Sequence, residues 1–102
     1  MNTEHGKLEG DIEISSELKL HGMITGNAIV KNGGVLHLHG MVSKNLIVEP
    51  GGVANIPGMV SGDAINKGGE LNISGTIVGQ IVKEAGITNV VPNAAIGSGS
   101  HV

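Results

Sequence analysis

Three histidines stand close enough in type and spacing to suggest chemistry: His37 and His39 lie two residues apart, and His21 lies 18 residues before His39. On an extended strand, residues two apart point to one face, and paired imidazoles are good ligands for transition metals. The carboxylates Glu9, Asp11, Glu13 and Glu17 form a second cluster, the raw material for acid–base work. Ser15, Ser16, Ser43 and Ser61 offer hydroxyls, but no His and Asp fall where a nucleophilic triad needs them. The Gly-Gly doublets lack the lysine, serine and following helix of a phosphate loop. Met23, Met41 and Met59 recur 18 residues apart, a soft and adaptable surface if they point outward. With no loop insertion in which a cleft could form and no aromatic residue to line one, these residues predict neither a catalytic site nor a resident metal or cofactor.

The spacing of 18 leads back to the elements that carry these side chains. The chain has 102 residues, 18 of them glycine, with no Phe, Tyr, Trp or Cys. Counting along it gives 12 Ile, 11 Val and 7 Leu, a mixture that suits short strands broken by turns and disfavours long helices. Six lysines, no arginine, no aromatic side chain and a net charge of −3 exclude nucleic acid as an expected partner. The absence of cysteine excludes disulfides and thiolate sites. The opening MNTEHGKLEGDIE lacks a signal-peptide pattern, and no apolar run approaches the roughly 18 residues of a membrane span. A cytoplasmic location without direct membrane insertion is the expectation.

Self-similarity at a fixed period reorganises the whole reading. HGMITGNAIV from His21, HGMVSKNLIV from His39, PGMVSGDAIN from Pro57 and SGTIVGQIV from Ser74 align on Gly22, Gly40, Gly58 and Gly75, at spacings of 18, 18 and 17. The doublets Gly33-Gly34, Gly51-Gly52 and Gly68-Gly69 follow the same period, and Leu8 to Ile14 repeats it in part. Each copy divides into three strand-length pieces. The first alternates, as in Leu18-Lys19-Leu20 and Leu36-His37-Leu38, which buries one face. The fold class predicted is therefore all-β: a single-stranded parallel β-solenoid, or β-helix, of about 17–18 residues per coil and roughly triangular section. The crossover rule for parallel strands favours a right-handed coil.

Stacked copies turn sequence positions into columns. The expected core columns are Leu18/Leu20 with Leu36/Leu38, Ala54/Ile56 and Leu71/Ile73; Ile24, Val42, Val60 and Ile77; and Ile29, Ile47, Ile65 and Ile81. Asp11, Asn27, Asn45, Asp63 and Gln80 form a polar column at a corner, where amides tolerate a left-handed backbone and bond along the stack. Two further columns, Lys31/Glu49/Asn66/Lys83 and Asn32/Pro50/Lys67/Glu84, are expected to set opposite charges one coil apart.

The recurrent G-[MT]-[IV]-x-[GK]-[NDQ] followed by an apolar pair, over residues 8 to 86, resembles the bactofilin family of bacterial polymer-forming cytoskeletal proteins. That resemblance implies a small β-helix that assembles end to end without nucleotide or metal and scaffolds envelope and cell-shape proteins, with membrane association through those partners. On this chain it makes the coil ends the working residues.

The expected organisation is a polar tail over 1–7, the solenoid over 8–86, a terminal cap or junction over 87–96, and a flexible tail over 97–102. A parallel solenoid leaves unpaired backbone groups at both ends. Leu8, Ile12 and Ile14 are the expected assembly residues at one end, and Ile87, Val90 and Val91 at the other. The expected function is structural self-association rather than catalysis, the partner being further copies of the chain. The other reading is a discrete solenoid, monomer or closed oligomer. It would bind a partner protein, as adaptor or toxin-neutralising partner, through a face made by Met23, Met41, Met59, His21, His37 and His39.

Overall fold

The computed structural model of the chain describes residues 2–4, 6–91 and 94–96. Every regular element among them is a strand. The first coil holds β1 (Asn2–Glu4), β2 (Lys7–Leu8) and β3 (Ile12–Ile14). The second holds β4 (Glu17–Leu20), β5 (Met23–Ile24) and β6 (Ala28–Val30). The third holds β7 (Val35–Leu38), β8 (Met41–Val42) and β9 (Leu46–Val48). Next come β10 (Val53–Ile56) and β11 (Met59–Val60). Then β12 (Ala64–Ile73) runs through a corner from the third face to the first. The chain goes on as β13 (Thr76–Ile77), β14 (Ile81–Val90) and β15 (Ala95–Ile96).

All pairings are parallel, each strand bonding to its equivalent one coil away. The first face stacks β1, β4, β7, β10 and the second halves of β12 and β14. The second face stacks β2, β5, β8, β11, β13 and β15, and the third β3, β6, β9 and the first halves of β12 and β14. The chain is thus a β-solenoid of about five turns, its stacked strands about 4.8 Å apart, and its longest axis is 31 Å.

Glycine marks the corner between the first and second faces because successive turns touch there. A Cβ on Gly40 would sit on the Gly22 carbonyl oxygen, and one on Gly75 on that of Gly58. Gly33 and Gly51, in one column at another corner, have φ of 85° and 86°, a conformation open to glycine at little cost.

The core columns on the first and second faces form as expected. Leu20, Leu36, Leu38, Ile24, Val42, Val60, Leu71 and Ile77 are fully buried. The third face differs. Its inward columns are Ala28, Leu46, Ala64, Ile81 and Ile14, Val30, Val48, Asn66, whereas Ile29, Ile47 and Ile65 are only half-buried on the outer side. Ile81 pairs with Ala64, not with Ile65. Ile81 lies six residues after Gly75, as Ala64 does after Gly58, so it shares the Ala64 column, and a difference of one residue exchanges the two faces of a strand.

The charge columns are corrected because the step between coils is still 18 residues at Asn66 and becomes 17 only by Glu70. Lys31 and Glu49 do pair, at 3.7 Å. Asn66, however, lies beside Val48, Lys83 lies beside Asn66, and the strand register shifts between Asn66 and Lys67. Two domain boundaries move as well. Strands β1 and β2 bring residues of 1–7 into a coil, and the second half of β14, through Val90, and β15, over Ala95–Ile96, stack on the preceding coil in parallel register. The 97–102 tail, Pro92 and Asn93 lie outside the described residues.

Candidate functional site at the coil ends

The six residues expected at the ends do lie in the first and last layers. Leu8 on β2 and Ile12 on β3 are half-buried at the rim of the core, and Ile14 is buried. At the opposite end Val90 packs against the core, while Ile87 and Val91 are 59% and 43% exposed. Val78, 46% exposed, was missed. It occupies the corner place held by Thr25, Ser43 and Ser61, since all four N–H groups donate to the equivalent carbonyl one coil back. An apolar residue closing a polar column was the available signal.

Among the described residues, β1, β2 and β3 have a strand on one side only, as do β14 and β15. Val91 N–H donates to the Ile73 carbonyl at 3.0 Å. Because successive residues of a strand point their backbone groups to opposite sides, the Val90 N–H faces away from β12 toward the open edge.

Beneath these ends run two polar ladders. At the corner before the third face, the Asp11 Oδ1, Asn27 Oδ1, Asn45 Oδ1 and Asp63 Oδ1 accept the N–H of Asn27, Asn45, Asp63 and Gln80 at 2.8–2.9 Å. This column and its bonding along the stack are as expected, but the left-handed backbone is not: among the described residues no non-glycine residue has positive φ. A carboxylate or amide is needed there because each side-chain oxygen satisfies a backbone donor one coil on.

The second ladder runs along the outer side of the first face. Asn89 Nδ2 donates to Asn72 Oδ1 at 2.8 Å, and Asn72 Nδ2 donates to Asn55 Oδ1 at 2.9 Å. Asn55 Nδ2 lies 3.4 Å from His37 Nδ1, and His37 Nε2 lies 3.0 Å from Glu17 Oε2. Read as one network, His37 accepts at Nδ1 and donates from Nε2 to Glu17. The ladder ends in Asn89 Oδ1, which has no partner among the described residues. A shallow groove of about 190 Å3 runs beside this ladder, between Asn55, Asn72 and Asn89 and the corner residues Pro57, Ser74 and Val91.

The histidines divide. His21 and His39 stack at one corner, ring centroids 5.0 Å apart and planes 12° from parallel, while His37 belongs to the asparagine ladder. The carboxylates divide too: Asp11 accepts from the Asn27 amide and Glu17 pairs with His37. No group of three or more His, Asp or Glu side chains is placed to hold a metal among the described residues. Met23, Met41 and Met59 pair in register on the outer side of the second face, half-buried beside the inward Ile24, Val42 and Val60.

Fold and ends define the class: a parallel β-solenoid whose first and last layers, among the described residues, are paired on one side only. Comparison of the chain with protein-family models, curated proteins and solved structures finds no match in any of the three. No helix among the described residues is long and apolar enough to cross a membrane.

Proposed function

We propose that the protein is a structural, self-assembling β-solenoid without catalytic activity, whose copies join end to end into a cytoskeletal scaffold of the bactofilin kind. The observation that carries this reading is that, among the described residues, the strands at the two ends of one stack are paired on one side only, with the exposed Ile87 and Val91 on the last coil. Open parallel edges template further pairing. Joining coil to coil satisfies backbone donors and acceptors and buries apolar side chains without any nucleotide. Copies of the chain are the principal partner, and envelope and cell-shape proteins would dock on the sides of the polymer.

Negative-stain electron microscopy with sedimentation velocity, over a range of protein and salt concentrations, tests it. Filaments or end-to-end ribbons are expected. A single small species under every condition would overturn the reading. It would favour the discrete partner-binding solenoid, for which the groove beside Asn55, Asn72 and Asn89 and the Met23/Met41/Met59 column are the available surfaces.

A further inference from the structure

The outer side of the third face carries a stripe of branched aliphatic side chains. Ile29, Ile47, Ile65 and Val82 pair in register on β6, β9, β12 and β14 and are half-buried there. The inward places beside them are already filled by Ala28, Leu46, Ala64 and Ile81. The outward column Lys19, His37, Asn55 and Asn72 of the first face is polar by contrast. At the first coil the stripe closes on a carboxylate, since Glu13 pairs with Ile29.

Charges run along one edge of this stripe and change sign with every coil. Lys31, Glu49 and Lys67 each follow an inward residue, Val30, Val48 and Asn66. Glu84 stands where the register shifts beside Lys67. Lys31 and Glu49 pair with each other, their side chains still 40% and 36% exposed. Lys67 and Glu84 are exposed and belong to no ion pair among the described residues. Along the opposite edge lie the exposed Lys44 on the third coil and the half-buried Asp63 on the fourth.

A column of alternating sign is complementary to its own reversal. From stripe and charges together we infer that two copies dock third face to third face, coils running in opposite directions, about a two-fold axis that passes between Ile47 and Ile65. Ile47 then meets Ile65 of the second copy and Ile29 meets Val82, as sheets packed about 10 Å apart allow. At the rim Glu49 meets Lys67, Lys31 meets Glu84 and Lys44 meets Asp63, each twice because the contact is isologous. An apolar centre inside a charged rim is the anatomy of a protein–protein interface.

Neighbouring arrangements fail on charge, which selects register and partner orientation. Moving the axis one coil toward the first end sets Glu49 on Glu49 and Lys31 on Lys67. One coil the other way sets Lys67 on Lys67 and Glu49 on Glu84. Coils running in the same direction bring Glu13 onto Glu13 in line with the stripe, whereas in the reversed dimer Glu13 lies beyond the overlapped coils. Four coils by the five residues from Asn27 to Lys31 give a footprint of roughly 19 by 16 Å, about 300 Å2 on each copy. A standard interface takes about 800 Å2 per partner, so this dimer is a weak one that forms at high protein concentration. The joint uses a side of the stack and neither end, and it stands whether or not the ends assemble.

Sedimentation equilibrium over a wide concentration range tests it in the Val90→Pro background, where pairing at the last edge is blocked. Glu49→Lys alone sets lysine against Lys67 in both halves of the dimer, and Lys67→Glu alone sets glutamate against Glu49. In an equimolar mixture of the two variants every one of these contacts regains opposite charges. The expected result is a dimer for the background, association weaker by at least about tenfold for each variant alone, and recovery of the dimer on mixing. Recovery also shows that both variants are folded. A mixture no better than its components would overturn the coil-reversed register. Unchanged association in both variants would overturn the face, and a background that stays monomeric at every concentration would overturn the dimer itself. The end-to-end reading is decided separately, by whether the unsubstituted chain forms polymers.

Discussion

Asn66 Nδ2 donates to Thr88 Oγ1 at 3.1 Å across the last two coils, at a place where the preceding coils hold Val30 and Val48. Asn66 is fully buried. Its amide also donates to the carbonyls of Ile87 at 2.8 Å and Gly69 at 3.2 Å, and its Oδ1 accepts the N–H of Gly68 and Gly69 at 3.1 and 2.9 Å. One side chain therefore closes the apolar core at the corner where β12 shifts register.

Replacing it by the residue of its own column should accordingly fail. Asn66→Val removes the partners of several part-buried backbone groups and is expected to cost roughly 3 kcal/mol. Thr88→Val removes one bond, about 1 kcal/mol. Urea denaturation measures both, and equal midpoints for Asn66→Val and wild type would refute the account.

The corner ladder makes a graded prediction. Asn45→Ala leaves the Asp63 N–H without its acceptor at 2.8 Å and should cost about 1 kcal/mol. Asn45→Asp keeps an acceptor but sets a second carboxylate one coil from Asp63. Its smaller loss should shrink as salt is raised, a trend that Asn45→Ala should not show.

Glycine at the turn-to-turn contacts is a matter of space. A Cβ at Gly58 would meet the Gly40 carbonyl oxygen and lie 2.9 Å from the Leu38 oxygen, whereas one at Gly6 has nothing within 4 Å. Gly58→Ala is expected to cost about 2–3 kcal/mol, with Gly6→Ala close to neutral. Thermal unfolding of the two variants side by side makes the comparison.

The open edge can be blocked without breaking the ladder beneath it. Since the Val91 N–H is the one that reaches Ile73, Val90→Pro removes the outward donor and leaves that inner bond. Proline is tolerated on an edge strand. Sedimentation velocity should then show loss of large species while far-ultraviolet circular dichroism stays that of a folded β protein. Polymers of unchanged size would show that this edge takes no part in assembly.

How far the sequence determined the protein can be told from particular columns. Alternation in Leu36-His37-Leu38 and the recurrence of Gly22, Gly40, Gly58 and Gly75 determined a parallel solenoid. They also determined which residues of the first two faces turn inward, because a period-2 strand between fixed glycine corners has one way to bury its apolar side. The end residues Leu8, Ile12, Ile14, Ile87, Val90 and Val91 followed from the order of the coils. Tertiary structure decided the third face, where Ala28, Leu46 and Ala64 turn inward with Ile81, in place of Ile29, Ile47 and Ile65. In a run such as Ala28-Ile29-Val30 both sides are apolar, so hydrophobicity does not say which is buried; only the backbone pairing, with its shift after Asn66, does. Tertiary structure also decided that β1 and β14 are coils in their own right. Their own residues, such as Asn2-Thr3-Glu4 and Lys83-Glu84, are polar, and what makes them strands is the backbone of the neighbouring coil, which pairs with any side chain.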